Sequence, residues 1–591
     1  MPEQPRPSFP SIPAALSHWA ALRPDDVAYV FASSEKGSEH EVGYRELEHS
    51  ALNVAAFLQT TAQRGDRVLL LLPPGLDYLT AFLGCLYAGM VAVPLYPPRP
   101  GAKLDRVEAV VRDCRPAHAL TTDALLEHLQ ELPHSAGAHR LRLHSVEGIG
   151  KAEQGVYEPV ALDGGDLAFL QYTSGSTGQP KGVMVGHGNL VENDRAIAEG
   201  FGVRSDDVIL SWLPLYHDMG LIGTALLPLY LGVKAVLLDT FAFIHDPLIW
   251  PEAVSRYAAT CSGGPNFAYQ LLTDRYDAER LAGVDLGSWR IAFNGAEPII
   301  PSTLEGFAAL YGRHGFDRSA LYPCYGLAEA TLFVSGAEPM TGYRSLSVSR
   351  RAIESGRLQE AVPAEDGDSL VVVSCGEVAA RTEIVIRSAD GRALRDGEVG
   401  EICVCGPGVA GGYWDRPEVS EETFRARVAG RGGDLPAHRR SRCAPGRSAV
   451  PGRPQQGPDH RRRTQLLPAR HREPRLRRLR RPASRLRGGV PAGLGRAPGG
   501  ARTGSGAVRC LTAAGRRRRA AGAGCGGASP SGCRSRSRPG RRGLRLSRFD
   551  SQDIQREDTT GRDATAFPRR AAAPDRRGPS PVLRPRAGGP G

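Results

Sequence analysis

Short apolar runs alternate with helical patterns along the first part of the chain. Residues 68–72 are apolar throughout and stop at Pro73-Pro74, the profile of a buried strand. Residues 76–90 then carry apolar side chains at helical spacing, and 91–95 return to a strand pattern that prolines end. A helix is predicted over 106–114 and a strand over 119–122. Further strands are predicted at 166–172, 208–212, 234–238 and 290–294. This alternation predicts an α/β protein with largely parallel sheets. After residue 370 the pattern changes to VVVSCG, TEIVIRSADGRAL and GEVGEICVCG. Strands joined by Asp-Gly turns predict a smaller β-rich subdomain there.

Residues 434–591 continue neither pattern. They hold 39 Arg, no Lys and 9 acidic residues, a net charge of +30, against −18 for the first 433 residues. They contain no Tyr or Trp, and their large apolar side chains include a single isoleucine, Ile554, and the phenylalanines Phe549 and Phe567. So little apolar surface does not offset the entropy of ordering a chain, which predicts a disordered tail. The 11 cysteines are too few for a disulfide scaffold in 591 residues. Cys403 and Cys405 alternate in EICVCG and are expected to share one buried strand face. The N-terminal stretch has no cationic segment leading into a long apolar one, and the run VLLLLPP is far short of the roughly 20 residues of a membrane span. A cytoplasmic protein without a membrane span is the expectation.

The sharpest chemical signal is LAFLQYTSGSTGQPKGVMVGHGNL, residues 167–190. A strand leads into Thr173, Ser174, Gly175, Ser176, Thr177 and Gly178, followed by Pro180-Lys181-Gly182. The glycines let the backbone approach an anion, hydroxyls and main-chain N–H groups donate to phosphate oxygens, and Lys181 adds a point charge. The Walker arrangement is excluded, because there the Lys follows its Gly directly and precedes Ser or Thr. His217 and Asp218 follow a strand and are a candidate catalytic pair on general grounds. A serine-hydrolase reading fails for want of a G-x-S-x-G elbow, which neither GHGNL nor SGSTG provides.

The 167–190 segment resembles the phosphate loop of the adenylate-forming superfamily: acyl-CoA synthetases, peptide-synthetase adenylation domains and fatty acyl-AMP ligases. Further segments resemble that family in its own order: SWLPLYHDMGLIG (211–223), GGPNFAYQLL (263–272), FNGAEPI (293–299), YPCYGLAEAT (322–331) and VGEICVCGPGVAGGYW (399–414). The wording of FLQYTSGSTG, YHDMGLIG, PNFAYQL, NGAEPI and YGLAEATLFVS is most similar to the fatty acyl-AMP ligase branch, and 341–376 resembles the insertion that marks it. The resemblance spans about residues 10–430. It implies an AMP-dependent ligase large domain over 1–430 and a separate tail over 431–591. It also implies ATP as substrate, Mg²⁺, a fatty acid, and an acyl carrier protein or polyketide or peptide synthase as acceptor. Glu329 is then expected to help hold Mg²⁺, and Tyr325, with Gly326 after it, to stack on adenine. Asn294, Gly295, Ala296 and Glu297 are expected to shape the adenine site. His217 is expected beside the junction of acyl group and phosphate. An acyl-CoA synthetase is the alternative within the superfamily.

Two family elements are missing from the chain: a Y-x-x-T-G-D segment that binds ribose, and a catalytic lysine in a small C-terminal subdomain. A nucleic-acid-binding arm is one account of the Arg-rich tail. The tail has no regular RGG or RS repeat, no interleaved aromatic residues and no Lys, so nucleic acid is not the expected partner. The second account is a shifted reading frame. With the last two bases of each codon joined to the first of the next, and synonymous codons free, DLPAHRRSR (434–442) can encode TYLRTGDLG. In the same frame, 452–473 can encode AGRSKDLIIVGGRNYYPHDIE and 551–560 can encode PRTSSGKIQR. These match three family motifs in order, and the lysine codon straddles Glu557 and Asp558. The expected shift lies close to Gly432 or Gly433.

Overall fold

A computed structural model describes residues 8–32, 39–98, 104–137, 140–152, 155–174, 180–361 and 369–425, with the backbone of 443–446. The expected disordered tail and the motifs hidden in it otherwise lie outside the described residues.

Among the described residues, two large sheets carry the fold. The six-stranded sheet runs in the order Arg142–Ser145, His118–Thr121, Arg67–Leu71, Val91–Pro94, Leu167–Ser174, Pro180–Gly186. Its neighbours are parallel except for the last pair, an antiparallel hairpin. The nine-stranded sheet runs Glu377–Val378, Phe333–Gly336, Leu321–Gly326, Ile291–Asn294, Cys261–Gly264, Val208–Ser211, Lys234–Leu238, Val27–Ala32, His40–Gly43. Its centre is parallel and its edges are antiparallel. Helices cover the faces of both sheets, which explains the unbroken apolar runs of their strands. Along one such run Val68, Leu70 and Leu72 enter the main core while Leu69 and Leu71 enter a second one.

The α/β expectation therefore stands, with the predicted strand ends moved by one or two residues. The β-rich region after 370 is divided among three sheets. Ser369–Val373 pairs with Ser345–Ser349, Glu377–Val378 joins the edge of the nine-stranded sheet, and Glu383–Arg387 pairs with Glu401–Cys405. Gly391 and Gly397 take φ of 87° and 86° in the turns between the last two. Cys443–Gly446 pairs along the free edge of Glu401–Cys405, so a short piece of the predicted disordered tail is a strand. An exposed edge presents unpaired N–H and C=O groups that accept such an addition. Cys403 and Cys405 are both buried, as expected, and Cys405 is disulfide-bonded. Among the described residues no helix is long and apolar enough to cross a membrane.

At the outer end of the six-stranded sheet, His118 Nδ1 and His144 Nε2 lie 3.0 Å apart, and His118 Nε2 lies 3.1 Å from the Thr61 carbonyl. The contact needs one donor and one acceptor ring nitrogen, so the two rings cannot both be protonated. Burial, with His118 and Arg142 adding to it, pushes His144 down to about 4. A depressed histidine contributes stability that is complete above its ordinary value near 6.5 and lost as pH falls through the folded one. His144→Gln is accordingly expected to flatten the loss of thermal stability between pH 6.5 and pH 4. Parallel melting curves for variant and parent across that window would contradict it.

Candidate active site

The hairpin Leu167–Ser174 and Pro180–Gly186 pairs Thr173 with Lys181 and Ser174 with Pro180. Of the hydroxyl-rich loop, Thr173 and Ser174 lie at the end of the first strand of this hairpin, and Gly175, Ser176, Thr177 and Gly178 lie outside the described residues. Thr173 Oγ1 is buried without a hydrogen-bond partner. A strap of residues 411–414 runs along the second strand. Gly411 N donates to Met184 O (2.7 Å), Met184 N to Gly412 O (2.9 Å), and Trp414 N to Gly182 O (2.8 Å). This strap brings Tyr413 to Lys181, whose Nζ lies 5.2 Å from the centre of the Tyr413 ring.

Glu329 sits in a 3₁₀ turn, Ala328–Ala330, between the strands Leu321–Gly326 and Phe333–Gly336. The reversal is tight: a Cβ on Gly326 would lie 2.0 Å from the Leu332 carbonyl oxygen, so only glycine fits. Asn193, on the helix His187–Phe201, clamps the turn. Its Nδ2 donates to the carbonyls of Ala330 (3.2 Å) and Phe333 (3.1 Å), and its Oδ1 accepts from Phe333 N (2.9 Å). Glu329 is fully buried. The Tyr413 hydroxyl donates to its Oε1 at 2.6 Å, while its Oε2 has no partner. Burial pushes the carboxyl up to about 7; the Tyr413 bond opposes this, the Asp218 charge adds to it and the Lys181 charge offsets it.

The strand Ile291–Asn294 ends at a second unsatisfied group. Asn294 is fully buried, and neither its Nδ2 nor its Oδ1 has a partner. Gly295 lies against the next strand, where a Cβ would come within 2.9 Å of Cys324 Sγ. Ala296 takes φ of 69°, a left-handed conformation unusual for a residue with a side chain. Tyr325 has a buried hydroxyl without a partner and is raised well above the usual phenol range by burial and the Glu329 charge. Glu297 is differently employed: its Oε1 accepts from Phe267 N at 2.6 Å, at the start of the helix Asn266–Asp274.

His217 and Asp218 open a one-turn helix, Asp218–Gly220, that passes into a π-helical turn, Leu221–Leu226. Such turns are frequent at functional sites. Burial and the charge of Arg106 push His217 down to about 3, so its ring is neutral at pH 7. Burial lifts Asp218 to about 6, and its Oδ1 accepts from Met219 N at 2.7 Å.

Of the residues singled out in the sequence, Lys181, Tyr325 and Glu329 thus lie in one electrostatic neighbourhood, and Asn294 and Gly295 line the adjacent strand ends. Glu297 spends its carboxylate on a helix start. Tyr413 and Asn193 were not anticipated. Tyr413 lies inside the recognised GGYW stretch, but its value there comes from a contact with residue 329 that sequence spacing does not reveal.

This arrangement, of orphaned polar groups gathered at strand ends between two α/β sheets, suits a ligase that handles a nucleotide. A family model described as "AMP-binding enzyme" matches residues 16–414. The medium-chain-fatty-acid–[acyl-carrier-protein] ligase JamA of Moorena producens is 37% identical over 431 residues, covering 72% of this chain and 73% of that protein. The long-chain-fatty-acid–AMP ligase FadD32 of Mycolicibacterium smegmatis is 36% identical over 430 residues, covering 71% and 68%. A solved fatty acyl-adenylate ligase from L. pneumophila, in complex with acyl adenylate and pyrophosphate, aligns with a TM-score of 0.68 at 38% identity, covering 72% of this chain and 74% of that one. The chain belongs to the AMP-binding enzyme family.

Proposed function

We propose that the chain activates a fatty acid with ATP, forming acyl-adenylate and pyrophosphate, and passes the acyl group to the thiol of an acyl carrier protein with release of AMP. The fatty-acid carboxylate attacks the α-phosphorus. The bond from that phosphorus to the oxygen bridging the α- and β-phosphates breaks, and pyrophosphate leaves. Two anions must meet, so the barrier is one of placement and charge neutralisation. The observation that best supports this reading is Glu329: a fully buried carboxylate with one oxygen tied and the other unpartnered. An unpartnered buried carboxylate oxygen fits a hard cation, and Glu329 is the residue that would hold Mg²⁺. When bound, that ion supplies charge stabilisation at the phosphates.

The remaining roles are those the family resemblance implies, and the chemistry of each group suits them. Lys181 adds positive charge at the phosphates, with Thr173, Ser174, Gly175, Ser176, Thr177 and Gly178 forming the loop around them. The free carboxamide of Asn294 reads the edge of adenine, with Gly295, Ala296 and Gly326 leaving room and Tyr325 stacking on the base. Neutral His217 orients the acyl carboxylate without trapping it as an ion pair. Glu297 acts indirectly, by fixing the helix Asn266–Asp274 beside the adenine turn. Residues 434–591 are the product of a shifted frame, and the chain as it stands is impaired because the ribose-binding Asp and the catalytic lysine are missing.

The functional test is pyrophosphate release from ATP with fatty acids of graded length, with coenzyme A or a carrier protein as acceptor. Acyl-adenylate that moves to the carrier and not to coenzyme A is expected. Efficient acyl-CoA formation would favour the synthetase alternative. Fresh genomic sequence across codons 425–440 tests the frame: a single-base correction that restores TYLRTGDLG is expected, and an unchanged frame would refute the shift.

A further inference from the structure

We propose that Tyr413 is a positioning residue for Glu329: its hydroxyl ties down one carboxylate oxygen so that the other is presented, free, to the bound cation. This rests on the adenylation reading above, and adds to it a residue outside the motifs' assigned site positions.

The geometry constrains Tyr413 on every side. Its main chain belongs to the strap on the strand Pro180–Gly186, and its N–H donates to Ser420 Oγ at 2.9 Å. Ser420 Oγ in turn donates to Arg416 O at 2.6 Å. Its ring packs edge-on against Phe424, with centroids 5.3 Å apart, and lies under Lys181 Nζ at 5.2 Å. The hydroxyl is thereby delivered to Glu329 Oε1 at 2.6 Å. The residue just before the strap holds the Glu329 main chain, since Ala410 N donates to Glu329 O at 2.9 Å. A glutamate has three side-chain torsions, and one bond at Oε1 removes the freedom to swing or flip. Groups that orient a cation ligand through a hydrogen bond typically alter metal affinity by 10–100-fold when removed. Tyr413 also joins the two charges of the site, because one ring carries the hydroxyl that holds the acid and the face that meets the ammonium.

The test is calorimetric titration of ATP into the full chain, with excess Mg²⁺ and with EDTA. Mg²⁺ is expected to tighten ATP binding to the parent. Tyr413→Phe keeps the ring against Lys181 and Phe424 and removes only the hydroxyl. It is expected to lose about tenfold of the Mg²⁺-dependent gain, while its metal-free ATP affinity moves by less than about twofold. A Mg²⁺-dependent gain equal to the parent's would overturn the proposal and leave the adenylation reading intact. Equal losses with and without Mg²⁺ would also overturn it, by making Tyr413 merely structural. A parent that binds ATP no better with Mg²⁺ would sink both. As a second readout, Tyr413→Phe added to Glu329→Gln is expected to cost no further Mg²⁺ dependence; independent, additive losses would contradict the coupling.

Discussion

Reading the chain after Gly433 in the proposed shifted frame is expected to raise fatty-acid-dependent pyrophosphate release by about three orders of magnitude over the chain as it stands. Attack by a carboxylate on a phosphate gathers negative charge at the reacting atoms, and a preorganised cation there is worth far more than in water. The chain has no Lys beyond residue 433, so no lysine ammonium can come from the tail. Lys181 stands over the Tyr413 ring and acts on the Glu329 side of the site. The rate of the chain as it stands therefore isolates what the large domain achieves alone. Comparable single-turnover rates for the two chains would show that Lys181 suffices, and would remove the reason for assigning a lost lysine.

Glu329→Gln is expected to separate activity from stability. The amide preserves volume and still accepts from Tyr413, but it is a poor partner for a divalent cation. In the frame-restored chain, kcat is expected to fall by about 10²-fold or more. Stability should move the other way. Burial raises the carboxyl from an ordinary 4.5 to about 7, so the folded state holds the proton more tightly than the unfolded one. Stability from this group is complete below 4.5 and is lost as pH rises to about 7. The variant escapes that loss, so its advantage grows across this window and levels off above pH 7, at up to ~3 kcal/mol. Denaturant titrations at pH 4.5 and pH 8 check this. A variant less stable than the parent at pH 8 would mean that the buried carboxylate is stabilised by something other than the contacts described. Active sites commonly trade stability for function in this way.

The sequence made the architecture legible where burial on both sheet faces forced apolar runs, as at 68–72 and 234–238. It hid strands whose residues are dictated by close approach instead. Cys261–Gly264 reads CSGG, with no branched apolar residue, yet it lies inside the nine-stranded sheet. A Cβ at Gly263 would meet the Phe293 carbonyl oxygen at 2.1 Å, and one at Gly264 would meet Trp212 at 2.6 Å. Pro180–Gly186 was obscured in the same way, because Pro, Lys and Gly are poor strand formers that the hairpin register overrides. The candidate site was legible as a set of motifs, from which Glu329, Lys181, Asn294 and Tyr325 are expected. The contacts that give those residues their properties were not legible. The Tyr413–Glu329 bond spans 84 residues, and the Asn193 clamp spans 137 to 140. Long-range pairings of this kind leave no period in a single sequence. Glu297 shows the converse: the sequence expects it to shape the adenine site, while its carboxylate serves a helix start.

The most direct test of the central claim is mass-spectrometric analysis of the frame-restored chain after one turnover with a fatty acid and Mg²⁺-ATP, without coenzyme A or carrier protein. Acyl-adenylate and pyrophosphate in equal amounts are expected. ADP with free phosphate, or no fatty-acid-dependent product, would contradict it.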